Sequence, residues 1–196
     1  MEAANTGSII AKDKQISMKK NNQGWEQILF YDIRRLQAIE EEMKSYLPDL
    51  LSKTHSLRLT TIIQKYIIFS DESITKLNML IKEGGIGVLL QTSSVVASFW
   101  RDTKEKLNYC TQGHEIDHCI VASLLSIAKL KTYQYEQAAQ LSEKLGHPTI
   151  KNLLQSLYEN EQRITGWLTE LQEKEKIEQE ETPLNHSLLR QAYWLL

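Results

Sequence analysis

Long segments of this chain repeat apolar side chains at spacings of three and four residues. That regularity restricts the fold more than any other feature of the sequence. The first segment, from Asn22 to about Lys53, carries Leu29, Ile33, Leu36, Met43, Leu47 and Leu50. The second, from about Ser56 to Glu83, carries Leu59, Ile63, Ile74 and Leu77. A shorter third runs from about 88 to 108 with Val95, Val96, Phe99, Trp100 and Leu107. The fourth spans about Gln112 to Leu145 and the fifth about Pro148 to Ile177. Such spacing places apolar groups on one face of a helix, a face that must be buried.

Chain punctuation agrees. Only 8 Gly and 3 Pro occur in 196 residues, so the elements are few and long, which favours helices over a many-turned β fold. Gly84-Gly85-Ile86-Gly87 follows the second segment as a helix cap; a phosphate loop would want a strand before it and a helix start after it. Gly146-His147-Pro148 stops the fourth segment, and Pro48 is expected to kink the first or end its regular part. Residues 1–21 read as a flexible polar tail, 22–177 as the helical body, and 178–196 as a charged linker with an apolar C-terminal segment, SLLRQAYWLL. Helices of roughly 30 residues are about 45 Å long. Joined by short connections they make an antiparallel four-helix bundle, with the third helix as an addition.

Composition excludes several classes. A net charge of −2 without a concentrated basic face argues against nucleic-acid binding. No run approaches the ~20 apolar residues of a membrane span, and the N-terminal stretch lacks a signal-peptide core. Two cysteines, Cys110 and Cys119, suit a reducing cytoplasm; nine residues apart, they make neither a disulfide framework nor a zinc-ligand pair.

The apolar stripes are interrupted. On the first helix the stripe reads Leu29, Ile33, Leu36, Glu40, Met43, Leu47; on the second, Leu59, Ile63, Tyr66, Ser70, Ile74, Leu77. The fourth reads Val121, Leu124, Ala128, Lys131, Tyr135, Ala138, and the fifth Ile150, Leu153, Leu157, Asn160 or Glu161, Ile164, Leu168. In an antiparallel bundle such near-central breaks can meet at one depth. An isolated buried charge is too costly to persist, so Glu40 and Lys131 would need each other or a metal. Read one residue out of register, the same groups would face solvent.

His114-Glu115-Ile116-Asp117-His118 matches H-E-x-x-H, in which two histidines on one helix face bind zinc and the Glu acts as base. It follows Gly113 at a helix start, and no third ligand falls in a recognisable arrangement. Acidic groups there also suit the helix dipole, so an exposed helix N-terminus is the expected role. Ser73-Ile74-Thr75-Lys76 fits S-x-x-K without the motifs that accompany it in β-lactamases.

Several stretches carry a resemblance: YQYEQAAQLSEKLGH (Tyr133–His147), LLQSLYENE (Leu153–Glu161), AIEEEMKSYLPDL (Ala38–Leu50), and Asp117 with Ile120-Val121. Over roughly residues 25–172 the chain resembles the YciE/YciF-like ferritin-like proteins of bacteria. The resemblance implies a ferritin-like bundle able to hold two metal ions, in a stress-related setting. Under it, Glu40 keeps the first-helix carboxylate and Tyr66 stands where the second helix would offer His. Ala128 and Lys131 stand in place of an E-x-x-E pair on the fourth helix, Asn160-Glu161 in place of a Glu-Glu pair on the fifth, and Asp117 opens the fourth helix. Two divalent ions need several anionic oxygens. The expectation is therefore a degenerate di-metal centre holding an ion-pair network, in a non-catalytic protein without cofactor that acts by association as a homodimer. The alternative is a working di-iron or di-manganese oxidase or iron-handling protein.

Overall fold

In a computed structural model, the chain forms five helices: α1 (Thr6–Lys53), α2 (Leu57–Glu83), α3 (Ser94–Leu107), α4 (Gly113–Lys144) and α5 (Pro148–Ala192). The structure describes the backbone of residues 6–84, 86 and 94–192, and the side chains of 23–82, 84, 86 and 95–174. No strand occurs among the described residues.

Side-chain pairs fix how the four long helices run. Between α1 and α2, Gln37 meets Asn78, Glu40 meets Ser70 and Lys44 meets Asp71. Between α2 and α5, Arg58 pairs with Glu170, Tyr66 with Glu161 and Lys76 with Ser156. Along α1 and α4, His55 just past α1 meets Asp117, Glu40 meets Lys131, and Glu26 faces His147 just past α4. From the first pair to the last in each series one number rises while the other falls, so neighbouring helices are antiparallel. α2 ends at one end of the bundle and α4 begins at the other. The connection between them therefore travels the bundle's length, with α3 packed against α4 and α1 on the way. One long crossover is the mark of a ferritin-like bundle.

Two apolar clusters fill the interior. One holds Met43, Leu47, Leu50, Leu59, Ile63, Leu124, Ile164 and Leu168; the other holds Leu29, Ile33, Leu36, Leu77, Leu154 and Leu157. The stripes of α1 and α4 match those read from the sequence. Those of α2 and α5 rotate slightly: Ser73 is buried where Ile74 was expected, and Leu154 where Leu153 was. On α5 this rotation turns Glu161 inward and leaves Asn160 half-buried.

Helix bounds differ from the sequence reading at three places. α1 is already helical from Thr6, in a stretch without proline, and α5 continues through the Glu/Lys/Gln-rich run to Ala192. Residues 1–5 and 193–196, and the packing of the apolar C-terminal segment, lie outside the described residues, as do 88–93 of the expected third helix. Pro48 does not end α1, which carries on to Lys53; the proline is on the exposed side, where water can bond the carbonyl it leaves unpaired.

α4 starts at Gly113, so Asp117 lies inside the helix and does not open it. Its buried carboxylate accepts the His55 and Ser56 amides at 2.9 and 2.7 Å, which ties the α1–α2 corner to α4. Ser56 in turn caps α2, its hydroxyl accepting from the Leu59 amide. Replacing Asp117 by Ala strands both amides and is expected to destabilise by ~2 kcal/mol, read as a lowered urea midpoint with unchanged slope.

Candidate metal centre

Between the two apolar clusters lies one polar layer, with a contribution from each long helix. Glu40 comes from α1, Tyr66, Ser70 and Ser73 from α2, Lys131 and Tyr135 from α4, and Glu161 from α5. Lys131 and Glu40 are 0% exposed and Glu161 is 4% exposed. A charge so far from water persists only when it is paired and its hydrogen-bonding capacity is filled.

Here the capacity is filled. The Lys131 ammonium is 3.0 Å from Glu40 Oε1, 3.0 Å from Glu40 Oε2 and 2.8 Å from Glu161 Oε2. It also donates to the Tyr66 hydroxyl at 3.2 Å and lies 4.6 Å from that ring's centre. Three N–H donors thus meet two carboxylates and a phenol. Tyr66 passes its own proton toward Glu161 Oε1. Glu40 accepts two further bonds, from Ser70 at 2.7 Å and from Tyr135 at 2.6 Å. Ser73 also hydrogen-bonds the Tyr135 hydroxyl.

The electrostatics follow. Burial, then the nearby carboxylates, hold both Tyr66 and Tyr135 well above the usual phenol range, so each stays a proton donor. Burial pushes the Lys131 ammonium down, but Glu161 and Glu40 together outweigh it and the net shift is upward. Burial raises Glu161 to about 7, with Glu40 adding to the rise and Lys131 opposing it. Two carboxylates face one ammonium, and the layer closes its charge balance by keeping a proton on Glu161 below neutrality.

The sequence-predicted residues are not all brought together. Glu40, Tyr66, Lys131 and Glu161 meet. Ala128 is buried in the apolar cluster toward the α1–α2 corner, and Asn160 lies outside the network. The sequence places Tyr135 in the apolar stripe and gives it no polar role. Its hydroxyl gains its role only by facing Glu40 across the α1–α4 interface, and Ser73 only by the rotation of α2, so apolar spacing carried no signal for either.

These residues do not fit a di-metal group. A ferritin-like pair of ions takes a Glu from two helices and a Glu-His set from each of the others. Here the ammonium occupies the space between the two remaining carboxylates, and both are already engaged by Tyr and Ser donors. No group of three or more His, Cys, Asp or Glu able to hold a metal occurs among the described residues.

At the other motif, the Glu115 carboxylate accepts the Thr111 and Gln112 amides at 2.6 and 3.0 Å, closing the start of α4. Those backbone bonds hold it below the usual carboxylate range. His114 is exposed and His118 half-buried on the same turns. Glu115 thus acts as a capping residue.

The sequence profile of a domain of unknown function, DUF892, matches residues 25–181. The chain belongs to the DUF892 family. Among solved structures, this DUF892 chain superposes on the E. coli stress protein YciF with a TM-score of 0.72 at 16% identity, covering 77% of this chain and 96% of that one. It superposes on YcfI of Rhodopseudomonas palustris with a TM-score of 0.70 at 17% identity, covering 74% and 92%. No curated protein matches the chain. These neighbours show the fold that this DUF892 chain shares with YciF and YcfI, a ferritin-like helical bundle.

Lys131→Ala leaves two buried carboxylates without a counter-charge and is expected to destabilise by about 3–5 kcal/mol in denaturant titration. A second expectation concerns pH. Glu161 binds its proton more tightly when folded, at about 7, than when unfolded, near 4.5. Its contribution to stability is therefore complete below pH 4.5 and disappears as pH rises through 7. The melting temperature of the native chain should fall over that window relative to Glu161→Gln, whose curve should be flatter.

Proposed function

We propose that this chain is a non-catalytic ferritin-like bundle whose di-metal centre is degenerate, and that it works through association with other protein. The observation that carries this reading is the Lys131 ammonium bonded to both Glu40 and Glu161. A lysine there supplies the positive charge that a metal would supply, without open coordination positions, redox chemistry or a place for dioxygen. Oxidase or iron-handling chemistry needs exchangeable positions on the ions, and none of the groups in this layer leaves one.

Association takes the form of a homodimer in this proposal. Trp25, Ile28 and Tyr31 stand exposed at three-residue spacing along α1, a face that a second copy can cover. YciF is described as a stress protein of E. coli. A stress-related role in the cytoplasm is the corresponding proposal for this chain, in keeping with the absence of a helix long and apolar enough to cross a membrane among the described residues.

The test is elemental analysis of untagged protein after exposure to ferrous or manganous ion and desalting. The expected result is well under one ion per chain and no dioxygen uptake on adding ferrous iron. About two iron or manganese ions per chain would overturn the reading in favour of the working di-metal protein. A gain-of-function control sharpens it. Ala128→Glu with Lys131→Glu adds two carboxylates at the bundle centre, and this double variant is expected to retain divalent metal where the native chain does not. Light scattering of the native chain tests the dimer, with a monomer mass counting against it.

A further inference from the structure

The two cysteines, set aside in the sequence because nine residues separate them, are brought together by the turn between α3 and α4. Cys110 lies just past the end of α3 and Cys119 in the second turn of α4, and their Sγ atoms are 3.6 Å apart. Both are free thiols and both are half-buried. A disulfide needs sulfurs about 2.05 Å apart, so the two thiols stand in van der Waals contact and have only to close that gap.

Their approach is held by the local backbone. The amides of Asn108, Tyr109 and Cys110 bond back to carbonyls of the last turn of α3, and the Cys110 thiol itself points to the Lys106 carbonyl at 3.5 Å. On the other side of the turn, Glu115 accepts the Thr111 and Gln112 amides. The polar layer at the bundle centre makes no use of either thiol.

We propose that Cys110 and Cys119 form a reversible intrachain disulfide in response to a hydroperoxide, and that this bond latches α3 onto the bundle. Cys119 is the attacking sulfur. Cys110 is the sulfur that keeps its proton, because its thiol points to the Lys106 carbonyl at 3.5 Å and burial, the bond to Cys119 and the Glu115 carboxylate push it up. The Cys119 thiolate attacks the peroxide O–O bond, giving a sulfenic acid and releasing the alcohol, or water from hydrogen peroxide. Cys110 then attacks the sulfenyl sulfur, the S–S bond forms, and the sulfenic oxygen leaves as water with the Cys110 proton. Two thiols lose two electrons in total and one O–O bond gains them.

The latch has something to hold. Among the described residues α3 packs chiefly on α1 and α4, through the Trp100 ring stacked 4.9 Å from Tyr46, the Lys53 ammonium 6.0 Å from the Trp100 ring centre, and the Thr103–Ser123 hydroxyl pair. A short helix with so small a footing is the element most prone to open locally. The disulfide would tether its C-terminal end to α4.

The full chain is treated with hydrogen peroxide at low protein concentration, alkylated, weighed intact and mapped by peptide mass. Expected are a chain lighter by two hydrogens, a Cys110–Cys119 cross-linked peptide, reversal by dithiothreitol, and severalfold slower proteolysis within α3 for the oxidised form. Cys110→Ser and Cys119→Ser should each block the cross-link and leave proteolysis insensitive to peroxide. Two alkylatable thiols after peroxide, an interchain cross-link, or a sulfinic acid in place of the disulfide would overturn the proposal. So would a disulfide that leaves proteolysis unchanged. Should either variant fail to fold, comparing oxidised with reduced native chain decides the matter alone.

Discussion

Everything in the middle of this molecule is arranged around one ammonium group. Lys131 reaches from α4 to Glu40 on α1, Glu161 on α5 and Tyr66 on α2, so a single side chain touches all three other long helices. That geometry demands that four helices present their polar residues at one depth. Sliding any one of them by a turn, about 5.4 Å, would break the ammonium's bonds to that helix and leave a charge or hydroxyl facing hydrocarbon. The apolar clusters above and below tolerate rearrangement far better, because Leu and Ile make undirected contacts. The polar layer is thus best understood as what fixes register. Buried ion pairs contribute little net stability compared with well-packed apolar groups, while breaking one is strongly destabilising. Both facts suit a part that selects one packing among many.

The topology places other polar groups where long helices would otherwise lose their alignment. At one end, Asp117 holds the α1–α2 corner against α4 through two backbone amides. At the other, Arg34 donates to the Ile86 carbonyl at 2.6 Å, anchoring the start of the crossover to α1. Between those ends the crossover runs alongside the bundle and deposits α3 against α1 and α4. α3 thereby covers the flank where Tyr46 would otherwise expose its ring.

How far the sequence could be read depended on what each signal encoded. Every position that apolar spacing placed in the stripes of α1 and α4 is buried, since a helix core stripe is a local property set by period, although Ile39, Ile120 and Ile127 are buried beside those stripes. On α2 and α5 the period left two neighbouring faces nearly equivalent. Ile74 looks better buried than Ser73, and Leu153 as well suited as Leu154, and only packing against the partners decided otherwise. Glu40, Tyr66, Lys131 and Glu161 were recognisable because a charge or hydroxyl stood out against an apolar stripe. Tyr135 was not, because a tyrosine is at home in such a stripe and its hydroxyl matters only once Glu40 is opposite. The nearness of Cys110 to Cys119 was invisible for a related reason. A spacing of nine residues means nothing until the intervening turn has a shape, and that shape depends on where α3 stops and α4 starts.

Charge counting explains why a lysine can stand where a ferritin-like bundle would hold ions. A full di-metal site sets four carboxylates against two divalent cations, and removing the metal from such a site would leave four like charges in a dry interior. The resemblance places two of those carboxylates at 128 and 131, where this chain has Ala128 and Lys131. Counting Glu40, Glu161 and positions 128 and 131, and leaving aside position 160, which lies outside the network, losing two anions and gaining one cation takes the layer from four negative charges to a net of one. The remaining imbalance is met by the proton that Glu161 keeps up to about pH 7, and by Tyr66, Tyr135 and Ser70 donating to carboxylate oxygens. Neither substitution would suffice by itself. Lys131 facing three carboxylates would still leave two uncompensated charges, and Ala128 beside a carboxylate at position 131 would leave three. In the proposed reading the two changes on one helix face belong together, turning a centre that would need metal to be stable into one that is closed without it.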